Sequence, residues 1–161
     1  MMDETQIVDK IFRSVLEQRL LPGTKLSETD LCALFDVGRM RVRRALLILS
    51  SRGIVEHHPH KGAFIARYTP DEAVEIFKAR VLLETMIIKE VCAHMTAEQF
   101  DVLSAHIDEE AQSRREDDIS AHVRLSGLFH VRVTQLLGNN VLTEMMRDLV
   151  TRTSLIVARY G

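Results

Sequence analysis

Apolar residues recur along this chain at two different spacings. From Thr5 to Gln18, residues Ile7, Val8, Ile11, Phe12 and Val15 fall at helical intervals, and Leu21-Pro22-Gly23 breaks the run. Ser27-Glu28-Thr29-Asp30 places a capping hydroxyl three positions before an acid, which predicts a helix start. Leu31, Leu34 and Phe35 form the apolar stripe of the helix it opens. Asp36-Val37-Gly38 reads as a tight turn, and a third helix is predicted from about Arg39 to Arg52 with Val42, Leu46 and Leu49 facing inward. After Gly53 the period changes to two. Ile54-Val55-Glu56 and Ala63-Phe64-Ile65-Ala66-Arg67 are predicted strands, with His57-His58-Pro59-His60-Lys61-Gly62 as the turn between them. Short helices joined by a tight turn and followed by a two-stranded wing predict a winged helix-turn-helix over residues 1–68.

The helical period then returns. Thr69-Pro70-Asp71-Glu72 combines a capping threonine, a first-turn proline and acids at the positive end of a helix dipole, so a second domain is predicted over residues 69–161. Its first helix is predicted to reach about His94, with Ala73, Ile76, Phe77, Leu83, Ile87 and Val91 along one stripe. Thr96 to about Arg115 repeats the pattern with Phe100, Leu103 and Ile107, and Glu116-Asp117-Asp118 makes a charged connection. A third helix spans Ser120 to Leu137 and is closed by Gly138-Asn139. A fourth, from Val141 to about Tyr160, carries Leu142, Met145, Met146, Leu149 and Ile156, the two methionines reading as core. Helices with such short joins predict an antiparallel α-helical bundle, and the chain as a whole reads as mainly α.

Composition narrows the function. With 161 residues the chain can form one ordinary domain or two small ones, which excludes a large multidomain enzyme. At 46% apolar and 27% charged it should fold. No apolar stretch approaches the ~18 residues that span a bilayer, and no basic-then-apolar leader opens the chain, so a cytoplasmic protein without membrane contact is expected. Cys32 and Cys92 stand far apart with no C-x-x-C pair, which reads as two reduced thiols. The absence of Trp argues against a base-stacking platform for single strands.

Charge is unevenly placed. Between Val37 and Arg67 lie seven basic residues and one acid, a net of +6, leaving 14 basic against 22 acidic residues elsewhere, a net of −8. A compact positive segment on an acidic remainder suggests a polyanion surface attached to something else. Arg39, Arg41, Arg43 and Arg44 crowd the first turns of the third helix, where a recognition helix enters the major groove. Arg39 and Arg43 are four apart and share a face suited to base edges, while Arg41 and Arg44 lie to its side and suit the backbone. At the wing, Lys61 beside Gly62 lets the chain approach phosphate closely, and Ser27 and His60 complete the candidate DNA-facing set. The three wing histidines do not suit a metal, since neighbouring strand residues point to opposite faces and a proline interrupts them.

These residues resemble the GntR superfamily of bacterial transcription regulators. The likeness covers about Ile7 to Arg67 and rests on Leu26-Ser27-Glu28, Val42-Arg43, Ala45-Leu46 and Lys61-Gly62-Ala63. It implies that Arg39 and Arg43 are DNA-contacting arginines and Gly62 the wing glycine. Gly38, Met40, Arg41 and Arg44 stand where the family usually has Ser or Thr, a small residue, Pro and Glu. Thr29 replaces an arginine that often helps hold DNA.

Thr69 to Gly161 is similar to the C-terminal domain of the FadR subgroup, through Arg80-x-x-x-Glu84, Leu128-Phe129-His130 and Leu137-Gly138-Asn139. That resemblance implies an effector-sensing and dimerisation domain. It also implies a divalent metal, zinc or similar, for which His130 matches the first histidine ligand. Ser126 occupies the usual Asp position, and the family's two later histidines and last helices have no counterpart before Gly161, so a shortened domain is expected.

For the side chains themselves alternatives stay open. His130 is a metal ligand or a hydrogen-bonded interior histidine; Arg80 anchors an effector carboxylate or pairs with Glu84 within its helix. His122 and His130, eight apart and thus about 12 Å along a helix, cannot chelate one ion by themselves. No nucleophile-and-base arrangement or phosphate loop occurs, so an enzyme is not expected. The reading is a DNA-binding transcription regulator, a homodimer on a palindromic duplex operator, controlled by a small organic-acid-like effector. The alternatives are a winged-helix scaffold for protein contacts and a metal-dependent hydrolase in the bundle.

Overall fold

A computed structural model describes residues 2–160. It separates into two compact units, one holding the chain up to Tyr68 together with its last turn from Ala158, the other holding Thr69–Val157.

In the first unit, α1 (Glu4–Leu16) starts at a capping box in which Asp3 and Gln6 exchange side-chain and backbone hydrogen bonds. Ile7, Val8, Ile11, Val15 and Leu16 form its buried face. Ser27 caps α2 (Glu28–Phe35), its Oγ accepting from the Asp30 amide. The helix ends at Asp36, whose left-handed backbone (φ 51°) turns the chain toward α3 (Arg39–Ser51). An aspartate tolerates this conformation better than most residues, which lets the turn stay tight. Val42, Ala45, Leu46 and Leu49 of α3 are buried as the period requires.

The wing has three strands. Besides β2 (Val55–His58) and β3 (Gly62–Ile65), the two residues of β1 (Lys25–Leu26) pair antiparallel with β3, giving the order β1-β3-β2. The predicted pair of strands is therefore present with one addition, and two residues are too few for a periodicity to announce it. Leu26, Val55, Ala63 and Ile65 face the core, while Lys25, Glu56, His58 and Phe64 share the outer face through the pairs Lys25↔Phe64 and Glu56↔Phe64. Gly23 (φ 82°) precedes β1. That backbone conformation strains any residue with a Cβ, which is why glycine stands there.

The second unit contains α4 (Pro70–His94), α5 (Ala97–Arg115), α6 (Ile119–Gln135) and, as far as Val157, α7 (Asn140–Tyr160). Thr69 with Glu72 and Thr96 with Gln99 form capping boxes; Asp118 and Asn139 cap the remaining two starts through side-chain oxygens. Asp118 thus gives the acidic connection a structural task. Along α6, Arg124 is the one exposed side chain between Ser120 and Thr134, which marks this helix as the centre of the bundle. Its Val131 and Val133 join Ile87, Val91, Leu103, Met146 and Val150 in one core.

Several predicted core positions are instead open. Leu34, at 73% exposure, points to solvent, as do Phe77, Phe100, Ile107 and Met145. On α5 the buried face is Leu103, His106 and Ser113, turned one residue from the predicted stripe. That turn is possible because buried His106 is fully bonded. Arg132 can only donate, so its Nη1 bonds Nδ1 at 2.6 Å, and Nε2–H donates to the Leu125 carbonyl at 2.8 Å.

Candidate functional site

The leading end of α3 carries the cationic cluster, and the structure divides its four arginines. Arg39 is exposed and has no hydrogen bond or ion pair with any described residue. Arg43 Nε donates to both carboxylate oxygens of Glu28, 3.0 Å to each. Arg41 is half-buried, its Nη1 donating to the Met2 carbonyl at 3.1 Å, and Arg44 Nη1 lies 3.6 Å from Glu4 Oε1. The two flanking arginines, read in the sequence as backbone contacts, are thus drawn to the chain segment that begins α1. Contacts some 40 positions apart leave no trace in a local pattern. Gly38 precedes α3 in extended backbone and supplies no side-chain cap; the Arg41 amide donates to the Gly38 carbonyl at 3.0 Å, while the amides of Arg39 and Met40 carry their partial positive charge without an internal acceptor. A polyanion meeting this end finds open amides and guanidinium groups together.

Ser27, also a candidate, has one Oγ lone pair engaged by the Asp30 amide, which leaves its O–H as a donor without a partner among the described residues. At the wing tip, Lys61 N–H donates to the His58 carbonyl and closes a turn with Pro59 at its second position and His60, at φ 60°, at its third. Lys61, His60 and Gly62 are all exposed there, and Gly62 has φ 99°. Sequence reasoning missed Lys25. The β1–β3 pairing puts it on the wing's outer face, with its Cε 3.7 Å from where a Gly62 Cβ would stand.

In the second unit a cavity of about 130 Å³ is lined by Arg80, His122, Ser126, Gly127, Thr153 and Ser154. Arg80 is held twice: Nε donates to Glu84 Oε1 at 2.7 Å and Nη1 to Thr153 Oγ1 at 2.6 Å. The intrahelical pair with Glu84 is therefore present, and the tie to Thr153 comes from packing alone. Glu84 Oε1 also lies 2.8 Å from His130 Nδ1. Burial pushes the His130 pKa below the ordinary histidine value and the Arg80 charge adds to this, together outweighing Glu84 and Glu110. A neutral imidazole can still donate Nδ1–H to Glu84. His122 Nδ1 is buried without a hydrogen bond, its nearest acid being Glu110 Oε1 at 3.8 Å.

The described residues do not suit the metal implied by the resemblance. Among them no three His, Cys, Asp or Glu side chains gather where one ion could be held, and the Asp position is filled by Ser126, a neutral hydroxyl. His130 instead turns Nδ1 toward Glu84. The hydrolase alternative lacks a ligand set among these residues for the same reason. No helix of the described residues is long and apolar enough to cross a membrane.

Comparison with known proteins agrees with both halves. The model of "Bacterial regulatory proteins, gntR family" matches residues 4–65, and that of the FCD domain matches residues 75–161. The chain is 23% identical over 145 residues to "Uncharacterized HTH-type transcriptional regulator YdhC" of Bacillus subtilis, covering 89% of this chain and 65% of that one. It is 27% identical over 133 residues to the "Nta operon transcriptional regulator" of Aminobacter aminovorans, covering 81% and 62%. The "HTH-type transcriptional repressor RspR" of Escherichia coli matches at 22% over 144 residues, covering 89% and 63%. The chain thus spans less than two thirds of the length of these relatives. Among solved structures, a GntR protein from Rhodococcus sp. RHA1 superposes with a TM-score of 0.80 at 23% identity, covering 96% of this chain and 74% of that one. E. coli McbR/YncC does so with 0.78 at 21%, covering 96% and 73%; both likenesses concern the fold. With the FCD model spanning more than half of the chain behind a gntR-type winged helix, this chain belongs to the FadR-like, FCD-containing branch of the gntR family of bacterial regulatory proteins.

Proposed function

We propose that this chain is a DNA-binding transcription regulator, reading duplex DNA through residues 1–68 and responding to a small effector through residues 69–161. The observation that carries the reading is the leading end of α3, where exposed Arg39 and the outer nitrogens of Arg43 stand beside uncapped helix amides. Arg39 and Arg43 reach base edges. Lys61, Gly62, His60 and Lys25 at the wing, with Ser27 at the start of α2, meet the sugar-phosphate backbone. Arg41 and Arg44 add to the field of this face while holding the segment ahead of α1.

In the bundle, Arg80 is the anchor for the effector. Its fork pairs with carboxylates, and a cavity of about 130 Å³ admits only a small acid, well below the ~300 Å³ at which drug-sized pockets begin. An incoming carboxylate would compete with Glu84 for Arg80 and leave Glu84 to His130 alone. His130 serves here as a hydrogen-bond partner rather than a metal ligand. The protein works by binding, with no chemical step, in the cytoplasm where its duplex lies.

A homodimer on a palindromic site completes the mechanism, since two linked readers report a change in separation or orientation as a change in affinity. Support comes from α4, whose Val74, Phe77, Val81 and Ile88 fall on one exposed stripe.

Titrating the chain with duplex DNA at several salt concentrations tests the reading. With about six phosphate contacts, log affinity falls against log salt with a slope near −5. A slope near zero would overturn it in favour of a protein-binding winged helix. Arg39→Ala should weaken binding to the preferred duplex by about 1 to 3 kcal/mol.

A further inference from the structure

One ion pair on the α3 face has a geometry that folding does not require. Glu28, the first residue of α2, presents both carboxylate oxygens to Arg43 Nε at 3.0 Å. Both side chains are open to water, 57% for Arg43 and 36% for Glu28, and exposed pairs of this kind add little to stability. The pair has a different effect on the arginine itself. An exposed arginine samples many rotamers; held at Nε, its stem is fixed. Nη1 and Nη2 make no hydrogen bond to any described residue, and they are the two nitrogens that form an end-on fork to a guanine edge.

The charge of Glu28 points the same way. It sits at the rim of a surface that otherwise attracts phosphate, so it opposes binding to duplex DNA of any sequence. Sequence preference is a difference of affinities, and a repulsive group improves it when it weakens the wrong complexes more. On an unpreferred duplex Arg43 has no base to meet and would swing to the nearest phosphate, where the Glu28 contact opposes it. On the preferred duplex the fixed fork meets its base without rearrangement.

We propose that Glu28 is a positioning residue for sequence discrimination: it aims the Arg43 fork at a base edge and restrains Arg43 from serving as an unselective phosphate contact. The inference rests on the α3 face being the DNA surface. The test uses the full chain and the duplex it recovers from a random pool by repeated selection, beside a scrambled duplex of equal length. Glu28→Gln should bind the scrambled duplex more tightly, and its preference for the selected duplex should fall about tenfold, within the discrimination one bidentate base contact supplies. In an Arg43→Lys background, which keeps the charge but removes the fork, Glu28→Gln should leave the remaining preference unchanged. An unaltered preference in the single variant, or an equal loss in both backgrounds, would overturn the positioning role. A chain that prefers no duplex at all would instead overturn the DNA reading on which it rests.

Discussion

Arg80 on α4 and Thr153 on α7 are 73 positions apart and joined by a 2.6 Å hydrogen bond at the wall of the bundle cavity. The Thr153 hydroxyl accepts from the guanidinium and donates in turn to the Val150 carbonyl at 3.1 Å, so both of its roles are filled inside the protein. Thr153→Val keeps the shape and leaves Arg80 Nη1 without that acceptor. Urea denaturation should show a loss of about 1 to 3 kcal/mol, the usual penalty for stranding one partner of a part-buried bond. A variant as stable as the parent would mean that water replaces the hydroxyl at no cost.

Gly127 measures how closely α6 and α7 approach. A Cβ there would meet Val150 Cγ1 at 2.7 Å and Ser154 Oγ at 3.3 Å. Gly127→Ala should therefore destabilise by about 1 to 3 kcal/mol through overpacking, despite the gain in helix propensity. Thermal unfolding followed by circular dichroism reads the sign directly, and a rise in Tm would show that the helices part freely.

The opposite sign is expected at Gly38. It stands at the N-cap of α3 with φ −73° and ψ 155°, and nothing lies within 4 Å of an added Cβ. Gly38→Ser can cap the helix and stiffens the unfolded chain, which together should stabilise by about 0.5 to 1 kcal/mol. The same melting experiment decides, and no gain would mean that the new hydroxyl finds no amide to accept from.

At the wing, Lys61→Ala and Lys25→Ala should each weaken binding across all duplex sequences and reduce the salt slope by about one unit. Lys25 is the sharper case, because only its pairing through β3 brings it beside Gly62. An unchanged slope for Lys25→Ala would take the outer sheet face off the contact surface.

His130 makes stability depend on pH. Its folded pKa is lowered, first by burial and then by Arg80, against the opposing pull of Glu84 and Glu110. Between that lowered value and the ordinary one of ~6.5, the unfolded chain binds the proton more readily than the folded chain. The contribution of His130 is therefore present above about pH 6.5 and is lost as pH falls toward the folded pKa. Denaturation midpoints measured from pH 7.5 downward should fall less steeply for His130→Gln than for the parent. Parallel curves would show that Glu84 holds the proton on His130 in the folded protein.

Much of the architecture was legible in the residue order because it depends on contacts within one turn. The caps at Ser27, Thr69 and Thr96, the buried stripe of Val42, Leu46 and Leu49, and the wing strands around Pro59 and Gly62 all follow from neighbours four positions away or fewer. So does the clustering of arginines at the start of α3. What those arginines touch depends on packing: Glu28, Glu4 and Met2 are brought to Arg43, Arg44 and Arg41 from 15 to 40 positions away. The same holds for Lys25 at the wing and Thr153 at the cavity. On α5, hydrophobicity by itself favours Phe100 and Ile107 as inward residues, yet His106 takes the interior because Leu125 and Arg132 satisfy both ring nitrogens. Periodicity and capping are local energies and can be read from order alone. Which cation stays open to a ligand, and which polar group is buried, is decided by partners that only the folded chain brings within bonding distance.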